Sequence, residues 1–194
     1  MAMIGVDGVI AGPLTHVPSA NTRTPGISSP NVLSPELQEV TVAQGSTALE
    51  NPSSTTSKYY GYGVDGPMLP SPGSLPSIIQ KVEATKTEPD KNTYLVLDGQ
   101  NGADPGYRYG SHFLFQGHEA GIEAHGIITR INLDADGEHR VTLLAEKEQD
   151  GTPLLPMDGS TWYPFSKRLL FSIERGNGGG LYQATSDYPS VVDN

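Results

Sequence analysis

The chain has 194 residues, enough for one domain with a sizeable core, and its 23 glycines and 16 prolines against 7% aromatics favour short strands and many turns over long helices. Twelve basic and 22 acidic residues give a formal charge of −10 with no Lys/Arg cluster, which disfavours a nucleic-acid backbone or an anionic membrane surface as partner. The absence of cysteine excludes disulfides, thiolate zinc sites, iron–sulfur clusters and cysteine nucleophiles.

In chain order, the N-terminus MAMIGVDGVIAGPLTHVPSANTR makes a poor signal peptide, because Asp7 interrupts its apolar stretch and no basic region precedes it. No apolar run approaches the roughly 18 to 20 residues of a membrane-spanning helix. Residues 1–76, rich in Pro, Ser, Thr, Gly and Asn without a lasting period, are expected to form an irregular or disordered arm. Within it the tyrosines of Lys58-Tyr59-Tyr60-Gly61-Tyr62-Gly63 are suited to anchoring a loop on a sheet face. Ser77 to Ala84 is a short helical candidate.

From Thr93 the texture becomes that of short strands bounded by Gly, Asp and Asn. Thr93 to Leu97 ends at Asp98-Gly99. His112 to Glu119 alternates, with Phe113, Phe115, Gly117 and Glu119 on one face, so that a carboxylate ends an apolar row. Gly126 to Leu133 and His139 to Ala145 predict a β-hairpin closed by Asp134-Ala135-Asp136-Gly137-Glu138. Thr161 to Ile173, interrupted near Pro164, and Leu181 to Thr185 predict a second hairpin across the glycines 176 and 178–180. Short antiparallel strands at this spacing suggest a sandwich, barrel or propeller, and periodicity does not choose among them. At 40 to 50 residues per blade, Thr93 to Asn194 would hold about two propeller blades, too few to close a ring.

Among chemical motifs, His118-Glu119 with His125 lacks the zincin spacing, since the histidines lie seven positions apart where that motif needs four. His112, His118, Glu119, Glu123 and His125 nevertheless form the densest ligand-type cluster of the sequence. The Asp134 loop lacks the third acidic position and distal glutamate of a calcium loop and reads as a turn. The glycines 176–180 lack the Lys-Ser/Thr of a phosphate-cradling loop, and no nucleophile elbow is present. Glu174, ending the apolar run Leu169 to Ile173, is placed at a sheet rim, where it and Glu119 could converge.

Tyr59-Tyr60-Gly61-Tyr62, the stretch from Glu83 to Tyr94, Gly117-His118-Glu119 and Asp158-Gly159-Ser160-Thr161-Trp162-Tyr163-Pro164 resemble the N-terminal half of the bacterial PhoX-type alkaline phosphatases. The resemblance spans about Tyr59 to Asn194. It implies an all-β fold, a partial β-propeller of antiparallel meander blades over residues 77–194 that continues beyond the chain end, preceded by the irregular arm 1–76. It also implies a metal-dependent phosphomonoesterase acting on small phosphomonoesters, exported to the periplasm or outside the cell, and incomplete as a catalytic unit here. Glu119 and His118 match the family's Asn-His-Glu, and Glu174 matches the end of its Cys-Glu-Glu, so the three are the metal ligands that the resemblance implies. Calcium is the expected cation; iron is disfavoured because Ser172 or Ile173 stands where the family has its thiolate. The alternative is a non-enzymatic, metal-stabilised propeller serving as a surface or scaffold protein.

Overall fold

Period-2 patterning governs the architecture. In the computed structural model, which describes residues 40–66, 84–119 and 125–194, eight strands form two four-stranded antiparallel sheets, and the helical content of the described residues is the single 3-10 turn Gly176–Gly178. The all-β expectation is thus met. Sheet 1 takes β1 (Pro89–Val96), β2 (His112–His118), β3 (Ile128–Asn132) and β4 (Val141–Ala145), each paired with its neighbour in sequence. Sheet 2 repeats the order with β5 (Met157–Tyr163), β6 (Arg168–Ile173), β7 (Leu181–Ala184) and β8 (Val192–Asp193). Both predicted hairpins are present as β3–β4 and β6–β7. The first strand starts earlier than Thr93, at Pro89, because Pro89 still pairs with His118 across a bulge.

Alternation along β6 and β7 turns Leu169, Phe171, Ile173, Tyr182 and Ala184 inward, where they meet Phe113, Phe115, Ile128 and Leu144 of sheet 1 in one core. Gly117 lets the sheets approach: a Cβ there would lie 2.9 Å from Met157 Cβ and 3.1 Å from Phe171 Cδ1. The other face of sheet 1 carries a second core of Ile127, Ile131, Val141 and Leu143, covered by Leu49, Val42, Ala43 and Tyr60 of the arm. All these elements lie within one compact unit, Val42–Asn194, so the irregular segment 42–66 packs with the sheets it precedes. Tyr60 anchors it as the sequence suggested, through a hydrogen bond from its hydroxyl to Gln116 Oε1. Apart from Ala84, the helical candidate Ser77–Ala84 lies outside the described residues, as do Glu123 and most of the N-terminal arm. No helix among the described residues is long and apolar enough to cross a membrane.

Candidate metal centre

The two sheets are built on one plan at one end. Pro89 pairs with His118 and Met157 with Ile173; in each case a bulge follows, and pairing resumes at Asn92 with Gln116 and at Ser160 with Phe171. The residue after the second strand then donates its amide to the residue before the first: Glu119 to Glu88 O at 3.0 Å, and Glu174 to Pro156 O at 3.0 Å. Each sheet therefore delivers an aspartate in the bulge, Asp90 or Asp158, and a glutamate at the end of its second strand, Glu119 or Glu174. Inter-sheet packing brings the two sets together, with Thr93 Oγ1 and Ser160 Oγ 2.8 Å apart between β1 and β5.

Ligand oxygens of Asp90, Glu119 and Asp158 all lie within 4.8 Å of one another. Such crowding penalises ionisation. The Glu119 carboxyl is held above the usual range, first by desolvation and then by Glu174, Asp90, Asp158 and Glu88. Asp158 is raised first by its hydrogen bond to Asp90, then by burial and by the charges of Asp90 and Glu174, with Lys91 opposing. Asp90 Oδ2 is screened from solvent and has no hydrogen-bond donor among the described residues; a proton on Asp158 lets the pair share a hydrogen bond. Glu88, whose carbonyl accepts from the Glu119 amide, holds φ at 44°, a conformation uncommon outside glycine and costing of order 1–3 kcal/mol. An all-oxygen, anion-rich donor set, with no cationic partner on Glu119 among the described residues, fits a hard divalent cation such as calcium.

The residues nominated from sequence are divided by this arrangement. Glu119 is in the cluster, and Glu174 lies close enough to act on both Glu119 and Asp158. His118 points to the opposite face of β2, fully buried, its Nδ1 3.2 Å from Thr87 Oγ1 and its Nε2 2.8 Å from Thr129 Oγ1. Desolvation there pushes its pKa down to about 3, only partly offset by Thr87, so the imidazole is neutral. His112 sits at the far end of the same strand, paired through Nδ1 with Asp134 at 2.9 Å. Just before Glu174, Ile173 is in the inter-sheet core and Ser172 Oγ donates to Gly159 O at 3.4 Å.

Asp90 and Asp158 carry no local sequence motif that marks them as ligands. Their shared signal is an aspartate at the second position of a strand that pairs its first residue with the last residue before a glutamate. Unequal loops hide it: the aspartates are 68 residues apart and the glutamates 55, so no fixed period appears. Comparison of the chain with known protein families, curated proteins and solved structures finds no match.

Proposed function

We propose that this chain is the N-terminal part of a PhoX-type β-propeller phosphomonoesterase, with its two sheets as successive blades, β1 and β5 as their inner strands, and Asp90, Glu119, Asp158 and Glu174 as a calcium site where those strands meet. The observation that carries the reading is the convergence of three carboxylates from two sheets within 4.8 Å. The equal plan of the two meanders supports blades related by rotation. Calcium at such a site would neutralise phosphoryl oxygens and orient the ester. The chain's own groups would hold the cation, and the raised Asp158 and Glu119 carboxyls are suited to exchanging protons near it. Export to the periplasm or beyond follows from the same resemblance.

A metal-stabilised scaffold is the second reading, favoured by the apolar Ile173 and the hydroxyl of Ser172 in place of the thiolate. Two measurements separate the cases. Calorimetric titration with calcium should show binding that Asp158→Asn weakens at least tenfold; no binding to the native chain overturns both readings. Phosphate release from p-nitrophenyl phosphate, by the chain together with any sequence that its gene encodes beyond it, should require calcium; binding without turnover across pH and metals leaves the scaffold.

A further inference from the structure

The repeat also relates the faces of the two sheets. Ladder positions Leu114, Ile131 and Val141 correspond to Leu169, Ala184 and Val192, while Gln116 and Thr129 correspond to Phe171 and Tyr182. The face by which sheet 2 covers sheet 1 is therefore equivalent to the outer face of sheet 1. The face of sheet 1 that is covered, through Phe115, Gly117 and Ile128, is in turn equivalent to the outer face of sheet 2, through Leu170, Ser172 and Leu181. This is head-to-tail packing, which continues until something occupies an end.

On sheet 1 the arm occupies it. Leu49 is buried on Ile127, Ile131, Val141 and Leu143, while Glu50 N donates to Val141 O at 2.9 Å. Asn51 grips the free edge of β4 from both sides: its Nδ2 donates to Leu143 O at 2.9 Å and its Oδ1 accepts from Leu143 N at 2.9 Å. The Glu50 carboxylate accepts from Tyr109 OH at 2.7 Å. Where sheet 2 has Phe171 and Tyr182, sheet 1 has Gln116 and Thr129, and Gln116 takes the Tyr60 hydroxyl. This polar centre matches the arm. Leu181, at the equivalent of buried Ile128, is 57% exposed.

We propose that residues 42–60 form a strap that closes the docking face of sheet 1 against a second copy of this chain, whose sheet 2 outer face is the complementary surface. The inference goes beyond the metal site and is argued from the observed repeat alone; in a longer propeller the next blade would take the same outer face of sheet 2, so the test is made on the 194-residue chain, where that face carries the exposed Leu181. A strap that covers both the face and the β4 edge blocks stacking in that direction, as edge-covering segments do in other sheets.

The test uses the full chain with Leu49→Asp and, separately, Asn51→Ala, which leaves the apolar face intact if the first variant loses its cooperative melt. Hydrogen exchange of the Val141–Ala145 amides reports strap release, and light scattering at rising concentration reports mass. The native chain should be monomeric; each loosened variant should exchange faster there and at least double its mass at high concentration. Adding Leu181→Glu should restore the monomer without slowing exchange. Unchanged exchange in both variants, faster exchange with unchanged mass, association insensitive to Leu181→Glu, or association of the native chain through Leu181 would each overturn the proposal.

Discussion

At one end of sheet 1, Asp90 and Glu119 face Asp158 and Glu174, with Lys91 acting on Asp158; at the other, about 20 Å along β2, Asp134 and Asp136 face histidines and backbone amides. The same side-chain chemistry is pushed in opposite directions. Burial alone would raise Asp134, but the amides of Ser111 and His112 and the His112 ring outweigh it, and its carboxyl is lowered. Asp136 is lowered chiefly by the His139 ring, then by the amides of His139 and Glu138. His139 is in turn raised by Asp136 and Asp104 and stacks on Tyr107 with centroids 3.7 Å apart. The histidine end is electrostatically satisfied by its own hydrogen bonds; at the carboxylate end, Lys91 is the cation that opposes the raised Asp158, and Glu119 and Asp158 stay above their ordinary range. Polar groups that complete their own network fix structure, whereas like charges held together store repulsion that a ligand can release.

The largest effect should come from forcing the sheets apart at the carboxylate end. Gly117→Ala puts a methyl against Met157 Cβ and Phe171, neither of which can yield without repacking, and should cost about 1–3 kcal/mol. It should also weaken calcium binding at the proposed site, since Gly117 packs on Met157, the neighbour of Asp158; an unchanged melt would show that close approach is dispensable.

Calcium itself comes next. At the proposed site, calcium at about 100 times its dissociation constant should add ~2.7 kcal/mol, which for a unit of this size should raise the melting temperature by roughly 5–10 °C. Glu119→Gln should remove most of that gain in parallel melts with calcium and with chelator. Asp134→Asn should leave it intact, and a loss there would erase the distinction between the ends.

Neutralisation in chelator should then have opposite signs at the two ends. Asp158→Asn relieves repulsion and should raise the melting temperature. Asp134→Asn weakens bonds to two amides and a ring, and should destabilise by about 1–2 kcal/mol. Equal signs would break the comparison.

The pH effects are the smallest. Because Glu119 and Asp158 are raised on folding, the folded chain holds their protons longer, so stability falls as pH rises from their ordinary values of 4.5 and 3.8 through the raised ones. Asp134 and Asp136 are lowered, so their contribution is complete above 3.8 and lost as pH falls through the lowered values. The raised His139 contributes fully below its ordinary 6.5 and loses that contribution as pH rises through its folded value. Imidazole titration by NMR should show His139 falling back toward 6.5 in Asp136→Asn; an unmoved titration would show that Asp136 does not set it.

Much of the strand pattern was legible locally. The alternation of His112 to Glu119 put Phe113, Phe115, Gly117 and Glu119 on one face, which also places His118 on the other, where the structure buries it against the threonines. Glycine and aspartate clusters located both hairpins, because turns need those residues regardless of what lies far away in sequence. The segment 42–60 was legible as irregular; its role as cover was not, since Leu49 and Asn51 acquire meaning only from β4, some 90 residues further on.

The sequence by itself determined the all-β class, the antiparallel order of neighbouring strands and the strand-end positions of Glu119 and Glu174, all consequences of period-2 alternation and turn chemistry acting over a few residues. Tertiary structure alone decided that Asp90 and Asp158 meet, that Gly117 sits between two sheets and that the arm closes one face. Those facts depend on how two independently patterned sheets pack, a choice made by side-chain fit across about 70 residues of chain and invisible to any local period.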